Sequence, residues 1–246
     1  MNNRFIIIVP FFNVEKTIQK TLSSVLKQTY SNYACILIDD MSTDDSYKKC
    51  EDIIRDNDSF YLIKNKKKKN STRNIYEAIY KYTEENDIVV ILDGDDFLFG
   101  KDVLSYLNNF YNKSNCWLTY GSYLELSNGL RGKFAKQIPE YVIKNNSYRE
   151  HEWITSHLRS FRSFLYKKIK KEDFLNNENK KFFTRAGDLV IMFPMLEMAG
   201  EKACYIEKIL YVWNNLSNLN EHKVDHTQQL ANEKQIRSRK KYEKII

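Results

Sequence analysis

The sequence predicts an α/β protein in which helices flank a mainly parallel β-sheet. Short apolar segments alternate with amphipathic ones between residues 4 and 96, which is the pattern of successive strand–helix–strand units. Several apolar segments stop at polar clusters, as strands do where their carboxyl ends face a binding crevice. Hydrophobic residues make up 42% of the chain, and glycine and proline are few, so a folded globular protein is expected.

The first half shows strands and helices in regular alternation. Continuous apolar runs predict the strands, and apolar residues that recur every three or four positions predict the helices. Strands are expected at residues 4–9, 34–38, 60–63 and 89–92. Helices are expected at residues 15–29, from the polar segment 42–46 towards residue 55, and at residues 71–84. Right-handed crossovers then bring the carboxyl ends of the strands to one edge of the sheet.

The second half contains fewer regular signals. Strands are expected at residues 117–120 and 205–213, with a hairpin turn at residues 127–129. An apolar helix is expected to follow Asp188, which suits an N-cap. The segment 157–162 fits either an anion- or sugar-binding pocket or an ordinary helix with a basic side. The basic segment 228–246 is expected to form a peripheral helix or a partner contact.

Composition and short motifs exclude several classes of protein. The longest apolar runs are too short to span a membrane, and no secretory signal is visible, so a cytoplasmic protein is expected. The 4 Cys have no paired or zinc-binding spacing, so they are expected to be reduced thiols. The net charge of +7 suits phosphate-bearing or acidic partners, including an anionic membrane face. The glycine motifs of dinucleotide-binding dehydrogenases and of P-loop NTPases are missing.

An acidic cluster follows the strand expected at residues 89–92. Asp93, Asp95 and Asp96 surround Gly94, and carboxylates this close repel one another unless a cation neutralises them. Oxygen ligands of this kind suit Mg²⁺ or Mn²⁺, which proteins often hold together with substrate phosphates. The basic segment 66–73 could then balance a diphosphate, so a metal-bridged diphosphate site is expected at this edge.

Five ordered segments resemble the GT-A glycosyltransferases of family 2. They are IIVPFFNVE at residues 7–15, SSVLKQTY at 23–30, IDDMSTD at 38–44, STRN at 71–74 and LDGDD at 92–96. The resemblance implies a GT-A type sheet with an acceptor-side extension at its C-terminal side. It also implies inverting transfer from a nucleotide-diphosphate sugar, usually a UDP-sugar, with Mn²⁺ or Mg²⁺ as the cation. The acceptor would be the hydroxyl of a glycan, a protein or a lipid-linked molecule, and nucleic acid is not expected as a partner.

The resemblance assigns the nucleoside end of the donor to five residues. By this similarity, Pro10, Asn13 and Glu15 would line the nucleoside pocket. Asp40 would hydrogen-bond the base, and Asp93 would contact the ribose. Glu15 could instead serve only the first turn of its helix, through the helix dipole.

The same resemblance places the reacting end of the substrate near three other residues, which are Arg73, Asp95 and Asp188. Arg73 would contact the diphosphate, although lysines at 66–69 stand where the family usually has a glycine. Asp95 would bind the metal ion. Asp188 would be the general base that takes the proton of the acceptor hydroxyl. His222 is a candidate metal ligand, with a lone surface histidine as the alternative.

These expectations divide the chain into three parts. Residues 1–125 would bind the nucleotide sugar, residues 126–220 would supply the acceptor site and the base, and residues 221–246 would form a basic tail. Two alternatives remain open at this stage. A nucleotidyltransferase could place a metal on the same acids, and a binding module could hold a sugar nucleotide without turnover.

Overall fold

The computed structural model describes residues 1–216 and 226–246. The strands are β1 (Phe5–Phe11), β2 (Tyr33–Asp39), β3 (Phe60–Lys64), β4 (Ile88–Ile91), β5 (Phe97–Leu98), β6 (Leu118–Gly121), β7 (Leu124–Glu125), β8 (Ser156–Arg162), β9 (Ala203–Ile206) and β10 (Tyr211–Trp213). The α-helices are α1 (Ile18–Leu26), α2 (Ser46–Ile54), α3 (Asn70–Tyr82), α4 (Val103–Lys113), α5 (Glu140–Lys144), α6 (Ser163–Lys167), α7 (Gly187–Ala199) and α8 (His226–Arg237).

A seven-stranded sheet in the order β3-β2-β1-β4-β8-β6-β9 forms the centre of the protein. The first four strands of that order are parallel to one another, so the expected mainly parallel sheet flanked by helices is confirmed. Strand β8 runs antiparallel to its neighbours β4 and β6. Because Arg159 pairs with Ile91, the first residues of β8 lie at the same edge as the carboxyl end of β4. A small sheet, β5-β10-β7, completes this edge.

Two hydrophobic cores lie on the two faces of the large sheet. Helices α1, α2 and α4 pack on one face, and α3, α6 and α7 pack on the other. Strand β1 contributes Ile7 and Val9 to the first core and Ile6 and Ile8 to the second, all fully buried. A strand that is buried on both faces reads as a continuous apolar run, which is why the sequence predicted it clearly.

One expectation for the strands of the second half was wrong, and one of two open alternatives is excluded. The segment 157–162 belongs to strand β8, so the alternative of a basic helix is excluded. The single last strand expected at 205–213 is two strands in different sheets, β9 and β10. The chain leaves the large sheet after Ile206 and enters the small sheet at Tyr211. The four cysteines are free thiols, as expected.

The C-terminal segment includes the expected helix and is anchored to the protein core. Ile236 of α8 is only 2% exposed and belongs to the core that contains α7. Arg149 forms a buried ion pair with Glu197 of α7, and its Nη1 donates to the carbonyl oxygen of Ile236 at 2.6 Å. The backbone N–H of Tyr242 also donates to Glu197, at 3.0 Å. Buried polar contacts therefore attach this segment to α7, and its sequence has no local pattern that indicates them.

Many cations of the C-terminal segment are paired within the chain. The ion pairs are Arg237–Glu233, Arg239–Asp173, Lys241–Glu150 and Lys244–Glu201. The guanidinium of Arg237 also donates to the carbonyl oxygens of Arg149 and His151. Much of the positive charge that the sequence places here is thus already balanced. Within the described ranges, no helix is both long enough and apolar enough to cross a bilayer.

Candidate active site

A cleft of about 500 Å³ opens at the edge of the sheet where the carboxyl ends of β1 and β4 meet the start of β8. This volume is in the range of small-molecule sites. Residues from distant parts of the chain line it, among them Pro10, Phe12, Thr72, Asp93, Asp95, Tyr123, Phe134, Trp153, His157, Arg159, Asp188, Trp213 and Gln229. The cleft therefore brings together acidic, basic and aromatic side chains.

The turn after β4 places Asp93 and Asp95 at this cleft. Gly94 packs so closely on β1 that a Cβ atom there would lie 2.4 Å from Cβ of Phe11. The carbonyl oxygen of Gly94 accepts a hydrogen bond from Oγ1 of Thr21 at 3.0 Å. Only glycine fits this contact, and the turn it permits exposes Asp93 and Asp95 to the cleft.

The third acid of the cluster anchors the turn. Asp96 is 2% exposed and accepts hydrogen bonds from the Tyr211 hydroxyl and from the backbone N–H of Asn214, both at 2.6 Å. Burial, followed by the charges of Asp93 and Asp95, raises the pKa of Asp96 well above its usual value. No local sequence pattern indicates that Tyr211 and Asn214, far along the chain, donate hydrogen bonds to this carboxylate.

The remaining acids form an electrostatically strained pair. Burial, followed by the charge of Asp95, raises the pKa of Asp93 to about 6, while Arg159 opposes the shift and Asp188 adds to it. A divalent cation would relieve this repulsion, and two carboxylates are a suitable donor set for Mg²⁺ or Mn²⁺. Within residues 1–216 and 226–246, no group of three potential metal-binding side chains exists. Phosphate oxygens of a substrate are a further source of ligands for such a cation. His222 lies outside the described residues.

Asp188 faces the same cleft from the start of α7. Ala186, with a φ of 58°, occupies the N-cap position, so the expected capping role of Asp188 is wrong. The helix start packs against α3, because a Cβ atom on Gly187 would lie 2.4 Å from Oγ1 of Thr72. Arg159 of β8 donates from Nη2 to Oδ2 of Asp188 at 3.2 Å. The carboxylate is thus held in the cleft while remaining one-third exposed.

The residues predicted for the nucleoside pocket divide into two groups. Pro10 lines the cleft, whereas Asn13 and Glu15 are not among the described residues that line it. Their side chains join two loops: Oδ1 of Asn13 accepts from the Thr43 N–H at 2.8 Å, and Oε2 of Glu15 accepts from the Asp45 N–H at 3.2 Å. They therefore fix the loop after β1 to the loop after β2.

Asp40 organises the turn that leads into α3. Its carboxylate accepts hydrogen bonds from the side chain of Asn65 at 2.9 Å and from the backbone N–H groups of Lys69 and Asn70, both at 2.8 Å. Burial alone would raise the pKa of Asp40, but these hydrogen bonds outweigh it and lower the pKa below its usual value. Asp40 thereby positions the start of α3, whose residue Thr72 reaches the cleft.

Arg73 is paired with a glutamate of its own helix. Its Nε donates to Oε1 of Glu77 at 2.8 Å, its side chain is nearly half exposed, and Lys69 binds the same glutamate at 2.7 Å. It is not among the described residues that line the cleft. A contact with a diphosphate would require Arg73 to exchange Glu77 for the phosphate.

Several residues that line the cleft were not predicted from the sequence. Tyr123, Phe134 and Trp213 supply aromatic surface to the cleft, together with Trp153. His157 stacks on Tyr211 with a centroid distance of 4.4 Å, and burial, followed by the charge of Arg159, lowers the pKa of His157 well below its usual value. Of the two interpretations of segment 157–162, the pocket interpretation agrees with the cleft positions of His157 and Arg159.

A parallel α/β sheet with acids at the carboxyl ends of its strands and an aromatic cleft beside them defines an α/β protein of the nucleotide-binding type. The family model "Glycosyl transferase family 2" matches residues 6–170, and the chain belongs to this family of glycosyltransferases. The matched region includes the acidic turn and β8, and it ends before α7.

Individual relatives agree with this assignment. The Escherichia coli protein UDP-Glc:alpha-D-GlcNAc-diphosphoundecaprenol beta-1,3-glucosyltransferase WfgD is 30% identical over 140 residues, which cover 56% of this chain and 53% of WfgD. S. aureus TarS in complex with UDP-GlcNAc shares the fold with a TM-score of 0.66 at 20% identity, over 86% of this chain and 58% of that one. The mannosyltransferase PcManGT from Pyrobaculum calidifontis, in complex with GDP-Man and Mn²⁺, gives a TM-score of 0.65 at 17% identity, over 98% and 66%. The chain thus spans about half of WfgD.

Proposed function

We propose that this protein transfers a sugar from a nucleotide-diphosphate sugar, most simply a UDP-sugar, to an acceptor hydroxyl with inversion at the anomeric carbon. The observation that carries the proposal is that Asp93, Asp95 and Asp188 line one cleft although Asp188 is far from the other two in the sequence. The UDP-GlcNAc bound to TarS and the GDP-Man bound to PcManGT support a nucleotide sugar as donor.

Asp95, with Asp93 beside it, would hold Mn²⁺ or Mg²⁺ at the donor end of the cleft. When bound, the cation would neutralise negative charge on the diphosphate. The raised pKa of Asp93, caused first by burial and then by the charge of Asp95, supports this assignment, because a bound cation would favour the ionised form of Asp93. Pro10 would contact the nucleoside, and the loops joined by Asn13 and Glu15 would shape that end.

Asp188 would act as the general base. It accepts the proton of the acceptor hydroxyl while that oxygen forms a bond to the anomeric carbon. The bond between this carbon and the diphosphate oxygen breaks at the opposite face, and its electron pair leaves with the nucleoside diphosphate. Arg159 orients Asp188 through its 3.2 Å hydrogen bond to Oδ2, and the Leu189 N–H donates to Oδ1 at 3.0 Å. The acceptor would be a glycan, a protein or a lipid-linked sugar.

The decisive experiment uses nucleotide sugars without an acceptor. UDP-glucose, UDP-N-acetylglucosamine and GDP-mannose are incubated with the protein and Mn²⁺ or Mg²⁺, and slow hydrolytic release of the nucleoside diphosphate is measured. We expect release from at least one donor and its loss in Asp95→Ala. Release of pyrophosphate instead would support a nucleotidyltransferase, and binding without any product would support a module that does not turn over its ligand.

A further inference from the structure

Two residues that line the cleft each have a buried polar atom without a hydrogen-bond partner among the described residues. These atoms are Oε1 of Gln229, on α8, and Nε of Arg159, on β8. Arg159 is 9% exposed and uses only its Nη2 for Asp188. Buried polar groups are normally paired, so an unpaired acceptor and an unpaired donor in one cleft indicate a ligand with both properties.

The position of Gln229 is fixed by the helix that carries it. Three residues further along α8, Asn232 is 3% exposed and donates from Nδ2 to the carbonyl oxygen of Arg185 at 3.2 Å. Ile236, on the same face one turn later, is buried in the core that contains α7. This face of α8 is therefore held against the segment that leads into α7. Gln229 is the residue of that face that reaches the cleft containing Asp188.

We propose that Gln229 is a specificity-determining residue whose amide oxygen accepts a hydrogen bond from a hydroxyl group of a bound sugar. The proposal rests on the proposed function, since it requires a sugar in this cleft. A sugar hydroxyl can donate to the amide oxygen of Gln229, and a hydroxyl can also accept from the Nε–H of Arg159. Gln229 lies beyond the residues that the family model matches, so it would distinguish this chain from relatives that differ in their C-terminal segments.

The hydroxyl could belong to the transferred sugar or to the acceptor, and kinetics separate the two. The test variant is Gln229→Met, which keeps the side-chain length and removes the amide. Gln235→Met is the matched control, because Gln235 lies on the same helix and also has a buried amide oxygen without a partner, but it is not among the described residues of the cleft. Gln229→Ala is measured as a second variant, and melting temperatures confirm that all three proteins are folded.

Donor hydrolysis is measured with UDP-glucose, UDP-N-acetylglucosamine and GDP-mannose, and transfer is measured with the methyl glycosides of the same sugars. If the transferred sugar supplies the hydroxyl, Gln229→Met raises the KM of hydrolysis about tenfold or more. If the acceptor supplies it, hydrolysis is unchanged and the rate of transfer falls about tenfold. The proposal is wrong if neither measurement separates the Gln229 variants from Gln235→Met. Absence of hydrolysis by the unaltered protein would instead reject the proposed function.

Discussion

At the scale of single residues, the three aspartates of the acidic turn are chemically identical but have different structural roles. All three acids border the cleft, but Asp96 is only 2% exposed and its carboxylate accepts hydrogen bonds from the Tyr211 hydroxyl and the Asn214 N–H. Asp40, which resembles a base-binding residue, accepts three hydrogen bonds that shape the turn before α3. Sequence alone identified these acids but did not separate the ones that support the site from the ones that face it.

Replacement of Asp188 by asparagine removes the proposed base and keeps the shape of the side chain. We expect kcat for sugar transfer to fall about 10²- to 10⁴-fold, because asparagine cannot accept the acceptor proton. The KM for the donor and the melting temperature should change little, since the cleft and its acids remain. Transfer by Asp188→Asn at a rate within threefold of the unaltered protein would exclude Asp188 as the base.

Arg73 tests whether a residue outside the cleft takes part in donor binding. If Arg73 leaves Glu77 to bind the diphosphate, Arg73→Gln should raise the donor KM about tenfold, because a charge-assisted hydrogen bond is lost. The matched control is Arg55→Gln, since Arg55 is also an exposed arginine paired with an acid of its own helix, Asp52. Equal KM values for the two variants would show that Arg73 serves only its pair with Glu77.

At the scale of elements, the α7–α8 pair carries the largest difference between expectation and structure. The segment 228–246 has a weak helical pattern, and Ile236 is its main buried apolar residue on α8. Its attachment depends on Arg149 and Glu197, which lie far apart in the sequence and show no local signature. Strands such as β1 were predictable because burial on both faces leaves a continuous apolar run, and β8 was not, because arginines interrupt its pattern.

The buried pair of Arg149 and Glu197 should be essential for this attachment. The two side chains are 3% and 0% exposed, so Glu197→Gln leaves the Arg149 charge buried and uncompensated. We expect a loss of about 3–5 kcal/mol in the free energy of unfolding, measured by urea denaturation. Glu140→Gln removes an exposed pair with Lys144 and should cost no more than about 0.5 kcal/mol. A similar small loss in both variants would contradict this role.

At the scale of the whole molecule, one cleft connects nearly every part of the described chain. The parallel half of the sheet and the acidic turn could be predicted from local patterns of apolar and acidic residues, and Asp188 was expected in the site through the family resemblance. The aromatic wall from Tyr123, Phe134 and Trp213 and the contribution of Gln229 could not. These residues meet only after the sheet has formed, and their positions depend on pairings between β10, β5 and β7 that leave no local pattern.

Binding should stabilise the whole protein only when cation and nucleotide are present together. Two carboxylates alone are a weak site, and the phosphates of UDP would complete it. At ligand concentrations about 100 times Kd, we expect UDP with Mn²⁺ to raise Tm by about 5–10 °C, and either alone to raise it far less. Differential scanning fluorimetry measures the shift, and Asp95→Asn should abolish it. An equal shift with UDP alone would show that the cation is not part of the nucleotide site.

The residues that line the cleft come from positions far apart in the sequence, and this has a consequence for biosynthesis. A polypeptide that has emerged from the ribosome only as far as Asp188 already contains every acid proposed for chemistry, yet it lacks Tyr211, Trp213 and Gln229. In such a chain the Tyr211 hydroxyl that donates to Asp96 is missing, and so are the cleft residues Trp213 and Gln229. The proposed activity therefore requires residues that are translated after Asp188, and nascent chains that end there should neither bind nor consume nucleotide sugar.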